Sequence, residues 1–339
     1  MKRITVAILV LLLILSGCKA KKQEASSGEA IGFELVGEPV EKGKNVYVVL
    51  KVLTNQYWQG VVAGLSEAAK DNKCNVYVGA CVDEGDWQAQ QKLLDEAMEK
   101  KADGIIVAPA NSTLLSDKLK EIKDSGIPVV LVDTIMNDVS SFDTCYMTDN
   151  LSAGSKAAEE MMRLFEENGI SKDEKAEIAI QITSTASQTV IDRMAGFNQY
   201  WSANAPENWK VLDDIGLNNG NKEKAQQLGL EFAENHKDLK GMFGCNNSST
   251  VGFVKGLEES GRDDIMLVGF DYADETAALI KKDNKTATIV QNQKLMGYKG
   301  VERVLELLEG GKSDLKFTDT GAVPVNHSNY AEYEKELEG

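Results

Sequence analysis

Short runs of β-branched and aliphatic residues alternate with longer amphipathic stretches from Asn45 onward. The apolar runs have the length of strands, and the stretches between them carry the three- and four-residue spacing of helices with one buried face. Strands that alternate with helices pair in parallel and need cover on both faces of the sheet. The first series of predicted strands and helices covers residues 46–50, 58–71, 76–78, 87–100, 104–107, 114–125 and 128–132.

A second series of the same kind follows a predicted helix over residues 151–167. Its strands and helices are predicted at residues 178–182, 190–202, 211–215, 222–235, 241–245, 249–260 and 265–269. Two such series in 339 residues predict an α/β fold of two doubly wound, Rossmann-like lobes, each with its own core. A further amphipathic helix is predicted at 295–309, and its periodicity alone leaves open which lobe it covers.

The N-terminus has the organisation of an export signal. Lys2 and Arg3 precede an apolar run over residues 4–15, which is too short to span a membrane, and L-S-G-C follows at 15–18. This tetrad resembles the bacterial lipobox, so residues 1–17 are predicted to be a lipoprotein signal peptide and Cys18 the lipidated N-terminus. A plain secretory signal is the alternative. Residues 18–44 are polar and are predicted to be a flexible tether. The protein is therefore expected to be extracytoplasmic and lipid-anchored to the bacterial cell membrane.

Charge and cysteine content limit the possible partners. Without the signal peptide, 35 basic residues face 53 acidic ones, which gives a net charge near −18 and excludes a nucleic-acid partner. The remaining cysteines match no metal motif, and no metal or cofactor is predicted. An exported chain permits a disulfide between Cys74 and Cys81, although buried free thiols are the favoured alternative.

Polar side chains follow the predicted strands, where ligand sites form in open parallel sheets. They are amides, carboxylates, one arginine and a few aromatic residues, which suit a ring with several hydroxyl groups. The segments concerned are 51–58, 83–87, 109–111, 133–134, 184–193, 246–247, 271 and 291. Sequence motifs of serine hydrolases, P-loop NTPases and dinucleotide-binding enzymes are missing, so the protein is not expected to be an enzyme.

Eight stretches carry a resemblance to a known family. They are VVLKVLTNQYW (48–58), ADGIIVAPAN (102–111), GIPVVLVD (126–133), TDNLSAG (148–154), RMAGF (193–197), MFGCNN (242–247), VGFD (268–271) and ATIVQ (287–291). In this order and spacing, behind a lipobox, the chain resembles the ribose-type periplasmic sugar-binding proteins, which are the substrate-binding components of ABC importers.

This resemblance implies a three-stranded hinge with a ligand in the cleft between the lobes. The chain would cross near Thr148, Gln291 and Gly321, so that residues 45–147 plus 292–320 form the N-terminal lobe and 148–291 plus 321–339 the C-terminal lobe. The helix at 295–309 would then join the N-terminal lobe. The implied ligand-binding residues are Lys51, Asn55, Tyr57, Trp58, Asp133, Arg193, Asn246, Asp271 and Gln291. Tyr57 and Trp58 would stack on a sugar ring, and the polar residues would bind its hydroxyl groups.

The sequence departs from the ribose-type pattern at four positions. Lys51 stands where a small hydroxyl residue is usual, and Thr134 replaces an arginine. Asn111 and Asn247 occupy places where an aspartate is usual. Ribose itself is therefore not the expected ligand. Lys51 would either meet a carboxylate or phosphate on the ligand or neutralise Asp133.

The predicted function is capture of a small carbohydrate by hinge closure and its delivery to the membrane subunits of an ABC importer, by a monomeric protein. The alternative is a sensory binding protein for a sugar or a furanone-like signalling molecule.

Overall fold

The computed structural model describes residues 28–312 and 315–338. The predicted signal peptide, Cys18 and the start of the predicted tether lie outside these residues. The strands are β1 (Ala30–Val36), β2 (Asn45–Leu50), β3 (Asn75–Cys81), β4 (Gly104–Val107), β5 (Val129–Val132), β6 (Thr144–Met147), β7 (Ala176–Ile182), β8 (Trp209–Leu217), β9 (Leu239–Gly244), β10 (Met266–Phe270), β11 (Thr286–Gln291), β12 (Thr318–Asp319) and β13 (Ala322–Asn326). The helices are α1 (Gln56–Asn72), α2 (Trp87–Glu99), α3 (Ser116–Asp124), α4 (Asn150–Glu167), α5 (Gln188–Asn204), α6 (Lys222–Asn235), α7 (Asn247–Ser260), α8 (Asp274–Lys282), α9 (Gln293–Leu308) and α10 (Tyr330–Glu338).

Two sheets form the centres of two lobes. The first has the strand order β1-β3-β2-β4-β5-β6-β12, and the second has the order β13-β11-β10-β9-β7-β8. The outer pairs β1–β3 and β11–β13 are antiparallel, and the other pairs within the two sheets are parallel. The predicted fold class, two doubly wound α/β lobes, is confirmed.

Each sheet is buried on both faces because its strands carry apolar residues at successive positions. In β2, Val46 and Val48 pack into a cluster with α1 and α9, whereas Tyr47 and Val49 pack with α2 and α3 on the opposite face. The second sheet is covered in the same way, by α4 and α5 on one face and by α6 and α7 on the other. Continuous apolar strands therefore produce a three-layer lobe in each half.

The chain passes from one sheet to the other three times. The passages lie between β6 and α4, between β11 and α9, and between β12 and β13. Helix α9 packs against α1 and against β4, β5 and β6 of the first sheet. A hinge between the lobes would act at these three passages. The domain limits inferred from the family resemblance remain a prediction.

The tether predicted over residues 18–44 is wrong for its last part, because β1 lies within it. Ile31, Phe33 and Leu35 alternate with other residues at the period of a strand, and β1 pairs antiparallel with β3. Phe33 contacts Tyr47 edge to face, with ring centroids 4.8 Å apart. The polar composition of the segment as a whole concealed this short alternation.

Cys74, Cys81, Cys145 and Cys245 are free and buried, so the alternative of buried thiols applies to Cys74 and Cys81. Within the residues described here, no helix combines the length and the apolar character needed to cross a membrane.

Candidate functional site

A buried group of polar side chains lies at the carboxyl ends of the first sheet. Lys51 follows β2, and Asp133 and Thr134 follow β5. Lys51 Nζ lies 2.9 Å from Asp133 Oδ2 and donates to Thr134 Oγ1 at 2.8 Å. Tyr57, in the first turn of α1, donates its hydroxyl to Asp133 Oδ1 at 2.7 Å. The Asp133 carboxylate therefore accepts hydrogen bonds from the Lys51 ammonium and the Tyr57 hydroxyl at the same time.

The ionised form of Asp133 is favoured by these donors. Burial alone would raise the pKa of Asp133, but the charge of Lys51 and the hydrogen bonds from Lys51, Thr134 and Tyr57 hold it below the usual value. Of the two roles considered for Lys51, the structure shows the ion pair with Asp133.

The two aromatic residues of α1 pack beneath this group. Trp58 is 1% exposed, and the Tyr57 and Trp58 rings meet edge to face with centroids 5.0 Å apart. Lys51 Nζ lies 5.8 Å from the centroid of the Trp58 ring. Both rings belong to the core cluster between α1 and the first sheet. Whether either ring also stacks on a ligand stays a prediction.

A second polar group lies at the ends of the second sheet. Arg193 on α5 donates from Nε to Asn150 Oδ1 at 2.8 Å, from one terminal nitrogen to the Cys245 carbonyl at 3.0 Å, and from the other to Gln291 Oε1 at 2.6 Å. Gln291 in turn donates from Nε2 to Asp271 Oδ1 at 2.8 Å. Arg193 is only 2% exposed, so these partners replace the water that its guanidinium has lost.

The pKa of Asp271 is shifted in the opposite direction to that of Asp133. Burial raises the pKa of Asp271 to about 6, against the opposing effects of the Arg193 charge and the Gln291 hydrogen bond. Both aspartates have a left-handed backbone, with φ of 65° at Asp133 and 68° at Asp271. This conformation is more accessible to Asp and Asn than to most other residues that carry a side chain.

The two polar groups meet between the lobes. Thr134 Oγ1 lies 2.9 Å from Thr189 Oγ1 of α5, and Thr189 donates to the Asp133 carbonyl at 3.3 Å. The charge of Asp133 also raises the pKa of Asp271. The carboxyl ends of both sheets therefore converge on one buried, mutually interacting cluster.

Asn55 and Asn246 lie beside this cluster and cap helices. Asn55 Oδ1 accepts from the Trp58 N–H at 3.1 Å, and Asn246 Oδ1 accepts from the Ser249 N–H at 3.3 Å. Asn55 also lines a cavity of about 210 Å³ between the lobes, together with Gln56, Asn247 and Asp274. Gln56 donates to Asp274 across this cavity at 2.9 Å.

The sequence-based site lacked several members of the cluster. Asn150 supports Arg193, and Thr189 links α5 to the first lobe. Glu84, in the loop before α2, interacts electrostatically with charged residues of both groups. Segment 83–87 is among the polar strand ends predicted to face a ligand, but nothing in the sequence distinguishes Glu84 within it, and its contact with Gly220 of the other lobe identifies Glu84 as part of the cleft. The prediction that the nine implied residues contact a ligand remains untested.

The fold and the cluster define a class of protein: a two-lobed α/β binding protein with its polar groups gathered between the lobes. The family model described as "Periplasmic binding protein domain" matches residues 46–313. The chain belongs to this family, as a ribose-type periplasmic sugar-binding protein.

Individual relatives are similar at low identity over most of the chain. The D-allose-binding periplasmic protein of Escherichia coli is 24% identical over 78% of this chain and 85% of its own length. The ribose import binding protein of Bacillus subtilis is 22% identical over 92% of this chain and 94% of its own. A crystal structure of an ABC transporter solute-binding protein from Agrobacterium vitis with bound D-fucose has a TM-score of 0.78 and 26% identity, and the match covers 86% of this chain and 98% of that one.

Proposed function

We propose that this protein binds a small carbohydrate between its two lobes and delivers it to an ABC importer. The observation that carries the proposal is the buried cluster between the lobes: Thr134, next to Asp133 of the first lobe, lies 2.9 Å from Thr189 of the second, and the charges of Arg193 and Asp133 both act on the pKa of Asp271. Vicinal hydroxyl groups need such paired donors and acceptors, and the names of the relatives concern sugars.

The residues would divide the work between the lobes. Asp133, held ionised by Lys51 and Tyr57, would accept hydrogen bonds from ligand hydroxyls on the first-lobe side. Arg193, stacked with its Cζ 3.9 Å from the Phe270 ring centroid, would donate to ligand oxygens from the second-lobe side. A ligand that contacts both lobes stabilises the closed form more than the open one, and this difference in binding free energy drives closure.

The lipid anchor, the location and the contact with the importer are proposed from the sequence and the family. A lipid anchor on Cys18 would keep the protein close to the importer at high effective concentration. The extracytoplasmic location agrees with the family to which the chain belongs. Closure would present surfaces of both lobes to the membrane subunits of the importer, with the protein acting as a monomer.

The proposal is tested by titration calorimetry of the full chain, purified in detergent, against neutral pyranoses and furanoses such as D-allose, D-ribose and D-fucose. We expect saturable binding of at least one neutral sugar, with ribose weaker than the best ligand because Lys51 and Thr134 alter the ribose pattern. Failure of every sugar in a broad panel to bind would contradict the proposal.

Transport and sensing are distinguished in the cell. If the protein serves an importer, its deletion abolishes uptake of the radiolabelled ligand at low concentration. Transcriptional responses to ligand that is supplied inside the cell stay intact. If uptake is unchanged and only a signalling output is lost, the sensory alternative applies instead.

A further inference from the structure

The loop between β3 and α2 is fixed at its end by Asp86. This residue is fully buried, and its Oδ1 accepts from the Ala89 N–H at 2.8 Å as the cap of α2. Its Oδ2 accepts from the Gly28 N–H at 2.6 Å. The carboxylate that caps the helix is therefore Asp86, and Glu84, two residues earlier, is available for another role.

Glu84 reaches the opposite lobe. It lies against Gly220, in the turn between β8 and α6, where an added β-carbon would stand 3.3 Å from Glu84 Cβ and 3.9 Å from Glu84 Oε2. Gly220 has a φ of 76°, which glycine adopts without strain. The turn of the second lobe thus leaves room for the Glu84 side chain at the edge of the cleft.

The Glu84 carboxylate interacts with the charges of both halves of the cluster. Burial raises its pKa, and the charges of Lys51, Asp133, Asp271 and Arg193 act on it as well. Among the described residues, no hydrogen bond reaches either of its carboxylate oxygens. Glu84 is half-buried at the edge of the cleft, and a carboxylate there would gain from donors that a ligand supplies in place of water.

Both cations of the cluster already bond to protein acceptors. Lys51 is paired with Asp133, and three N–H groups of Arg193 bond to protein acceptors. Lys51 and Arg193 face the three carboxylates of Asp133, Asp271 and Glu84, so the five groups carry one formal negative charge in excess when all are ionised. Carboxylate oxygens are therefore the groups of this cluster that can still accept hydrogen bonds from a ligand.

We propose that Glu84 is a further ligand-binding residue, and that it restricts the site to sugars without a negative charge, with a protonated amino group as the best-matched substituent. This inference rests on the proposed function and deepens it by naming the ligand class. A ligand ammonium or hydroxyl would give Glu84 the donors that it lacks, and an ammonium would also cancel the excess charge. A sugar acid or sugar phosphate would instead add a like charge beside Glu84 and Asp271.

The inference separates the two roles considered for Lys51. A lysine that met a ligand carboxylate would have to leave Asp133, 2.9 Å away, and Asp133 would then remain buried without its main cation. Glu84 would oppose the same ligand. The local charges therefore disfavour the anionic ligand that a lysine in the cleft first suggests.

The test uses matched sugars that differ in one substituent. Titration calorimetry of the full chain in detergent at pH 7 compares D-galactose, D-galactosamine and D-galacturonate, and likewise D-glucose, D-glucosamine and D-glucuronate. The variants are Glu84→Gln, which keeps the shape of the side chain, and Asp83→Asn, which removes the same charge from the exposed neighbouring residue. Circular dichroism spectra and melting temperatures verify that each variant is folded.

For the wild type we expect the acid of each series to bind at least about tenfold more weakly than the neutral sugar, and the amine to bind at least as tightly as the neutral sugar. Glu84→Gln should weaken the amine about tenfold relative to the neutral sugar and reduce the penalty on the acid, whereas Asp83→Asn should change neither ratio. An acid that binds best, or ratios that Glu84→Gln leaves unchanged, would overturn the inference. Absence of binding by these six sugars and by every neutral sugar of the broad panel would contradict the proposed function and, with it, this inference.

Discussion

The ion pair of Lys51 and Asp133 is nearly excluded from water, with side chains only 8% and 6% exposed. Removing each charge from water costs several kcal/mol. The attraction between the two charges offsets this desolvation free energy only when further hydrogen bonds satisfy their remaining donors and acceptors. Asp133 has such bonds from Thr134 and Tyr57. We interpret the pair as an arrangement that prepares the cleft for a ligand rather than as a device for stability.

A double-mutant cycle tests this interpretation. Asp133→Asn leaves Lys51 buried without its counter-charge and should lower the free energy of unfolding by about 3 kcal/mol. Adding Lys51→Met removes the orphan charge, so the double variant should return to within about 1 kcal/mol of the wild type. Urea unfolding of the full chain measures both. Additive losses in the double variant would show that the two residues act independently.

The pH dependence of stability tests the protonation of Asp271. Its pKa of about 6 exceeds the ordinary value of 3.8, so between these values the folded protein binds more protons than the unfolded chain. The stabilising effect of protonation is complete below about pH 4 and is lost as the pH rises through 6. We expect the stability of the wild type, relative to Asp271→Asn, to fall by up to about 3 kcal/mol over this range.

The Asn variant carries no charge at any pH and tolerates the left-handed backbone of this position, so the comparison isolates the carboxyl group. Unfolding free energies of both proteins are measured at several pH values from 4 to 7. A difference that does not change with pH, or that grows in favour of the wild type as the pH rises, would contradict the assignment.

At the scale of elements, the close crossing of α4 and α5 positions Arg193. A β-carbon at Gly154 of α4 would lie 2.0 Å from the Arg193 carbonyl oxygen, and one at Gly196 of α5 would lie 2.0 Å from the Leu151 carbonyl oxygen. Only residues without a side chain permit this approach. The two helices thus hold Arg193 where it reaches both Gln291 and Asn150.

Gly154→Ala should therefore affect stability and ligand binding together. Separation of the helices is expected to cost about 3 kcal/mol of unfolding free energy and to weaken ligand binding, because Arg193 moves with α5. Gly32→Ala in β1 is the control, since no atom lies within 4 Å of the added β-carbon and the change should stay within about 0.5 kcal/mol. Unfolding and calorimetry are measured for both variants. Equal effects of the two substitutions would refute the role of the helix crossing.

The arrangement of elements could largely be predicted from the sequence, because continuous apolar strands and amphipathic helices differ in period. Strand β1 was not predicted, because its alternation of Ile31, Phe33 and Leu35 is short and lies in a polar segment. The cleft was harder to predict. Asp86 and Glu84 look equivalent in sequence. The hydrogen bond that Asp86 accepts from the Ala89 N–H identifies the helix cap, and the position of Gly220 on the other lobe identifies Glu84 as the cleft carboxylate.

At the scale of the whole molecule, direct hydrogen bonds join the two lobes beside the cluster. Ser112 donates its backbone N–H to the Ala186 carbonyl at 3.1 Å and accepts from the Gln188 N–H at 3.1 Å. Thr134 and Thr189 add the hydroxyl pair. These contacts favour the closed form and would retain a ligand once the lobes have met.

Thr189→Val tests this role because it keeps the shape of the side chain and removes the hydroxyl. We expect ligand dissociation to become about fivefold faster, the equivalent of one hydrogen bond, with little change in the association rate. Thr189→Ser retains the hydroxyl and should restore slow dissociation. Stopped-flow fluorescence measures these rates, and an unchanged dissociation rate in the Val variant would show that the contact is incidental.

The account depends most on the claim that both lobes grip the same sugar. The most direct measurement is titration calorimetry of the best neutral sugar against the wild type, Asp133→Asn and Asp271→Asn, all at pH 7. The account predicts that each substitution, one in each lobe, weakens binding at least about a hundredfold, since each removes a buried hydrogen bond of a charged group. Wild-type affinity in either variant would contradict it.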